Sequence, residues 1–438
     1  MEIVKQQYSK KQNAVPIDRL SDLPDSILSH ILSFLPATSK SVATSILSRR
    51  WRYLWSYVPN LFFYYENSDT INRVLLLRKL HSINTFSLFD CTKRNYHQIH
   101  TWITFAVERN VQNIEIYLTV HLDSPRCLFT CKTLIDLTLH RCGVVPDRGS
   151  IVFLPHLKRL RLIHVKYEGD DSLSHLISGC PVLEDLVLRL CIDYCSCKIS
   201  SPTIKSLDVS CHFDKESENQ NYNKVEINTP ALVYLELLDY ANQHIKCGAL
   251  TSLIEADIEI DCSSINPDDS FLYSRSLVGF FDGLCNVRFL KLDLSQCTKI
   301  IDSVFTAWTA TTFRNLTKLE LISDCCFLSK FLDNADNLEI LILQKVYEEV
   351  KGWVEPQRVP ACLLSRLRTI KLVGIEAIKQ DFEMIRYLLR NGQFLERMEI
   401  VYPNCYSPVE KMFTMYKLKP ILLFERGSTA CVVTFAST

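Results

Sequence analysis

The chain has 438 residues, 47% of them hydrophobic, and carries 49 lysines plus arginines against 49 aspartates plus glutamates. That length supports two or more domains around a large core. The balanced charge provides no basic excess for nucleic acid or a membrane surface, and no apolar run reaches the ~18 residues that a membrane span needs.

The N-terminal stretch MEIVKQQYSKKQNAVP has no apolar segment of the kind that a secretory signal requires. Export is therefore not expected, and the cytoplasm or the nucleus remains. Lys5, Lys10 and Lys11 are too sparse to form a nuclear import signal, so residues 1–16 read as a disordered tail. The 18 cysteines are scattered, many at the ends of predicted strands. In a reducing compartment they read as small buried hydrophobes.

Residues 17–63 read as the first domain. Pro24 suits the first turn of a helix, with Ser21 or Asp22 as its cap. Ile27, Leu28, Ile31, Leu32 and Leu35 recur at helical spacing up to Pro36. Thr38 or Ser39 caps a second helix carrying Val42, Ile46 and Leu47, and a third stripe, Trp51, Leu54 and Trp55, closes at Pro59. Helices this short are marginal alone, and so small a bundle buries too little surface to hide this much apolar material. The excess packs either on the rest of the chain or on a partner; periodicity does not separate the two.

These positions resemble an F-box: Leu23-Pro24, Ile27-Leu28, Ile31-Leu32, Leu35-Pro36, Val42, Leu47-Ser48, Trp51, Leu54 and Trp55. The resemblance implies docking on a Skp-type adaptor, which joins F-box proteins to a cullin scaffold in a ubiquitin ligase. Carried over position by position, it puts Pro24, Ile27, Leu28, Ile31 and Leu32 on the adaptor-facing side, with Leu23, Leu35, Pro36, Val42 and Leu47 completing the set. It shares Trp51, Leu54 and Trp55 between the bundle core and the adaptor.

Residues 80–355 are dominated by a repeated L-x-x-L-x-L unit. Clean copies start at Leu134, Leu157, Leu183, Leu232, Leu316 and Leu338; weaker ones start at Ile83, Val111, Ile204, Leu253 and Val287. With the further copies at Leu367 and Leu395, the first anchors advance by about 26 residues a step, inside the ~20–29 of leucine-rich repeats. Each L-x-L is a short strand with one buried face, which only a stacked neighbour can cover. An α/β solenoid is expected, with a parallel sheet on its concave side and helices or loops behind. Asp170–Pro181 reads as a helix stopped at Gly179, and SVFTAW from Ser303 to Trp308 as another. Cys211–Lys224 and Asp261–Ser274 read as loops.

Residues 356–438 hold the last two repeat-like strands around an amphipathic helix, Gln380–Asn391, in which Phe382, Ile385, Leu388 and Leu389 share a face and Gly392 closes the end. Here the chain resembles the FBD module of plant F-box proteins, in Pro360-Ala361-Cys362-Leu363-Leu364 and in Arg426-Gly427-Ser428 with Cys431, Val433 and Phe435. The order F-box, leucine-rich repeats, FBD is that of the plant F-box/FBD/LRR-repeat proteins, and the module is expected to cap the solenoid.

No phosphate-binding glycine loop, nucleophile elbow or H-E-x-x-H is present, and no cofactor or metal is expected. Cys191, Cys195, Cys197 and His212 lack the paired C-x-x-C of a structural zinc site, and His97 and His100 have no further ligands nearby. On the concave face the residues flanking the strand leucines include Arg159, Arg161 and Arg189, which suggest a basic patch. Tyr234 follows, then an acidic ladder of Glu255, Asp257 and Glu259. These seven are the candidate contacts to a target, although exposed strand faces also carry charge simply to stay soluble.

The expected function is substrate recognition in an SCF-type ubiquitin ligase, with no active site on this chain. An interaction scaffold that delivers no substrate is the alternative. A hydrolase using the thiols would need a Cys–His pair in a cleft.

Overall fold

The computed structural model describes residues 20, 22–90, 96–123, 125–190, 196–211, 224–240, 244–248, 250–262, 270–297, 312–346, 353–403 and 408–437. The tail 1–16, the 303–308 helix, most of the 211–224 loop, and Cys191, Cys195 and His212 fall outside them.

Three short elements open the chain: α1 (Asp25–Leu32), α2 (Thr38–Ala43) and a 3-10 stretch, Trp51–Tyr57. Pro24 precedes α1 in extended backbone instead of sitting in its first turn, and no side chain caps that end. The helix stops at Leu32, short of Pro36. Thr38 is no cap either: it lies inside α2, and its hydroxyl accepts from the Phe62 N–H at 2.8 Å. That bond ties α2 to the first strand of the sheet.

The sheet has 15 strands in chain order. They are β1 (Asn60–Tyr64), β2 (Thr85–Asp90), β3 (Asn113–Leu122), β4 (Asp136–Cys142), β5 (Arg159–Ile163), β6 (Asp185–Leu190), β7 (Ser206–Cys211) and β8 (Tyr234–Tyr240). There follow β9 (Glu255–Asp261), β10 (Phe289–Asp293), β11 (Lys318–Ser323), β12 (Ile340–Lys345), β13 (Thr369–Val373), β14 (Arg397–Tyr402) and β15 (Val432–Ser437). Neighbours pair in parallel with the repeat anchors aligned, as in Leu137↔Leu160↔Leu186↔Leu207↔Leu235. Every predicted repeat unit supplies one strand, β2 to β14. The two end strands were not expected, yet β1 follows the same rule, with Val58, Leu61 and Phe63 buried in the anchor positions.

Behind the sheet run α3 (Ser68–Leu77), α4 (Tyr96–Glu108), α5 (Ser172–Ser178), α6 (Ser270–Gly283), α7 (Cys326–Asp333), α8 (Ala361–Ser365), α9 (Lys379–Asn391) and α10 (Pro408–Leu418). Helix α6 begins at Ser270, inside the stretch expected to be a loop to Ser274. Returns too polar for a helix become strands instead: Ser196–Ser200, Lys224–Asn228 and His244–Cys247 form a small sheet of their own. Helix α5 does end before Gly179, but Gly179 has ordinary right-handed backbone. Glycine is needed there because a Cβ would stand 2.7 Å from the Val152 carbonyl oxygen.

Nearly all anchors join one core that begins at Leu28 and ends at Cys431. Burial pushes the thiols of Cys142, Cys180, Cys247 and Cys362 up to about 12. Such thiols are poor nucleophiles, so these cysteines act as packing residues.

One charge lies deep in this core. The Asp381 carboxylate, 1% exposed, meets the Lys345 ammonium at 2.8 Å. It also accepts from the backbone N–H groups of Glu376 and Ile378 at the start of α9. Burial alone would lower the Lys345 pKa; the Asp381 bond and charge outweigh it and raise it. Asp381→Ala should cost about 3–5 kcal/mol, because it strands a buried cation. Chemical denaturation checks this, and Lys345→Met in the Asp381→Ala background should recover part of the loss.

Candidate functional site

Two surfaces come forward. The first is the outer side of α1, α2 and the turns beside them. With 3.6 residues per turn, Leu28 and Leu32 point one way and Ile27 and Ile31 about 100° away. The structure turns Leu28 and Leu32 inward, at 0% and 3% exposure, onto the core that holds Trp51, Leu54 and Trp55. Leu23, Leu35 and Val42 are half-buried against it, while Pro24 and Pro36 are exposed. So Leu28 and Leu32 are not outward contacts, and the two tryptophans are sealed within this chain.

What remains outside is still apolar. Ile27 is 45% exposed, Ile31 39%, Phe34 74%, Ile46 87% and Leu47 62%. Phe34 and Ile46 were absent from the expected contact set. Phe34 lies off the helical stripe, in the turn after α1. Helical spacing puts Ile46 in the stripe, but the chain tightens into a 3-10 turn at Thr44–Ile46 and turns it outward. Arg50 holds the bundle's edge: its guanidinium bonds Asp25 at the start of α1, with Nη2–Oδ1 at 2.7 Å, and also donates to the Leu23 carbonyl.

The second surface is the open face of the sheet. Arg159, Arg161, Arg189, Tyr234, Glu255, Asp257 and Glu259 all lie on it, at positions alternating with buried anchors. The structure pairs most of them. Asp136 on β4 takes both Arg159 at 2.6 Å and Arg161 at 3.3 Å from β5, and Arg189 makes a two-pronged contact with Asp208 on β7. The three arginines therefore do not pool into a basic patch. Tyr234 donates to Glu236 at 3.0 Å, and Lys291 on β10 reaches Asp257 at 2.9 Å. Sequence spacing could not reveal the ion-pair partners, because each sits a whole repeat away, whereas Tyr234 and Glu236 are neighbours on one strand.

Within the acidic ladder, burial raises the Glu259 pKa first and the neighbouring Asp293 charge adds to it. A carboxyl raised in the folded state binds protons more tightly there than in the unfolded chain, so stability falls as pH rises through that interval. Glu259→Gln should therefore melt at a higher temperature than wild type at pH 7, with the gap closing as the pH drops below ~4. Paired thermal melts across pH measure it.

Among the described residues, no helix is long and apolar enough to cross a membrane. The F-box domain family matches residues 20–63, the leucine-rich repeats of an FBD-associated F-box protein match residues 99–255, and the FBD family matches residues 355–400. A putative FBD-associated F-box protein of Arabidopsis thaliana is 28% identical, covering 96% of this chain and 100% of its own length. An F-box/FBD/LRR-repeat protein of the same plant is 30% identical across 95% of this chain and 96% of its own length. An F-box/LRR-repeat protein, also from Arabidopsis thaliana, is 31% identical over 96% and 95%. Three domain matches in the order of the folded elements, with relatives at this identity over almost the full length, place the chain in the plant F-box/FBD/LRR-repeat family.

Proposed function

We propose that this protein is the substrate-recognition subunit of an SCF-type ubiquitin ligase, acting in the cytoplasm or nucleus and performing no catalysis itself. The observation that carries the reading is the outward apolar set Ile27, Ile31, Phe34, Ile46 and Leu47 on the F-box. Five large apolar side chains on so small an area favour a protein partner, and a Skp-type adaptor is the partner that F-box domains generally bind. The sheet's open face, including the seven charged and aromatic residues above, holds the target. Tethering target and transfer enzyme on one assembly raises their effective concentration, so modification of target lysines becomes intramolecular.

The F-box is fixed to the first strand of this sheet and the segment after α3, not strung from them. Thr38 bonds β1, and the backbone N–H groups of Lys79 and Leu80 both reach the Ser56 carbonyl. A rigid joint keeps the target at a set distance from the adaptor.

Co-purification with a recombinant Skp-type adaptor and cullin tests the reading. Ile31→Asp/Leu47→Asp should abolish adaptor capture while leaving the melting temperature near wild type, since both positions are exposed. Leu28→Ala should act differently, losing about 2–5 kcal/mol of stability because it opens a cavity. Adaptor retained by the double aspartate variant would end the docking claim. Adaptor captured without cullin would leave a scaffold, not a ligase subunit.

A further inference from the structure

The open face changes character along the sheet. In β1 to β4, the position after the second buried anchor is Tyr64, Phe89, Tyr117 and His140 in turn. Parallel pairing sets these rings one strand apart, and they stack. Tyr64 lies 4.8 Å from Phe89, Phe89 4.5 Å from Tyr117 and Tyr117 5.6 Å from His140, with interplanar angles of 21°, 8° and 28°. His164 meets His140 edge-on at 5.8 Å. Tyr64 is 40% exposed, and the other three rings are half-buried. Farther along, the same column holds Ile163, Arg189, Ser210, Leu238, Glu259 and Asp293, so the ladder of rings belongs to the F-box end.

Basic side chains line one side of this ladder. His121 lies in the irregular stretch of β3 between Tyr117 and Leu122, Arg141 is next to last in β4, His164 follows the end of β5, and Lys166 lies two residues farther. Burial lowers the His121 pKa, and Lys166 and Arg141 lower it further. Only the Lys166 and Arg141 part of that shift reports positive charge, and two such charges beside one another favour a negative group. Among the described residues, neither Arg141 nor Lys166 is joined to a carboxylate in an ion pair; Arg141 donates instead to the Thr119 carbonyl at 3.2 Å. On the opposite side, Glu115 accepts from Ser87 at 3.1 Å and Asp136 holds Arg159 and Arg161. Glu115 and Asp136 thus have local donors.

We propose that this corner grips the target, and that the gripped element is an exposed acidic segment carrying an aromatic side chain. The rings offer flat faces for stacking, and Arg141 and Lys166 receive the carboxylates. A basic segment would meet like charge. This rests on the reading that the open face holds the target, and it selects the end nearest the adaptor-docking surface.

Fluorescence anisotropy on the purified full-length chain tests it, with labelled random copolymers of Glu and Tyr, of Glu and Ala, and of Lys and Tyr as probes. The Glu/Tyr copolymer should bind more tightly than Glu/Ala, and Lys/Tyr should not saturate. Tyr117→Ala should weaken Glu/Tyr roughly five-fold and leave Glu/Ala unchanged. Tyr64→Ala, at the exposed end, supplies the same reading should Tyr117→Ala lower the melting temperature. Arg141→Glu/Lys166→Glu should weaken both acidic probes about tenfold or more, whereas Lys318→Glu on distant β11 should change neither. Lys/Tyr binding as tightly as Glu/Tyr, or the double glutamate variant binding like wild type, overturns the proposal. None of these readings needs adaptor or cullin, so adaptor capture without acidic binding would sink this inference and leave the ligase reading standing.

Discussion

A strand of this sheet can hide its leucines only beneath the repeat before and the repeat after it. That dependence runs unbroken from β1 to β15 and makes the chain one core. Its effect at the front is specific. Val58, Leu61 and Phe63 complete the first repeat and draw Trp51, Leu54 and Trp55 into the same interior. The F-box therefore gives its tryptophans and the inner leucines of α1 to its own chain. Ile27, Ile31, Phe34, Ile46 and Leu47 stay outside because they sit on the other side of the same short helices and turns.

Parallel register governs the open face as strictly as it governs the core. It sets side chains from neighbouring repeats in columns, so charges about one repeat apart in sequence become direct partners. Asp136 between Arg159 and Arg161, Arg189 on Asp208 and Lys291 on Asp257 are the result. The same columns make Tyr64, Phe89, Tyr117 and His140 a continuous stack. Net charge by residue type misleads on such a surface; what counts is what remains after the columns have paired.

The C-terminal module closes the other end by different means. Asp381 brings the start of α9 to Lys345 on β12, reaching back over the last repeats. Gly427 donates to the Leu389 carbonyl at 2.9 Å, and its approach is so close that a Cβ there would stand 2.5 Å from the Arg390 carbonyl oxygen. The segment after it then adds β15, the edge strand of the sheet, whose Val433 and Phe435 are half-buried. Capping is thus achieved by a helix start, a glycine contact and one extra strand.

Periodicity alone was enough to place β2 to β14, since L-x-x-L-x-L can satisfy its burial in no other way than by stacking. It was enough also to find the three helical segments of the F-box and the amphipathic α9. End strands escaped because β1 uses Val58 as its anchor inside another motif, and β15 has Ala430 where a leucine would stand. The tertiary structure alone decided which F-box side chains face out, since a one-residue change of phase between helix and 3-10 turn moves Ile46 from core to surface. It alone decided the partners of the arginines and the stacking of the rings, because both are set by strand register, a property of neighbouring repeats and not of any stretch of sequence.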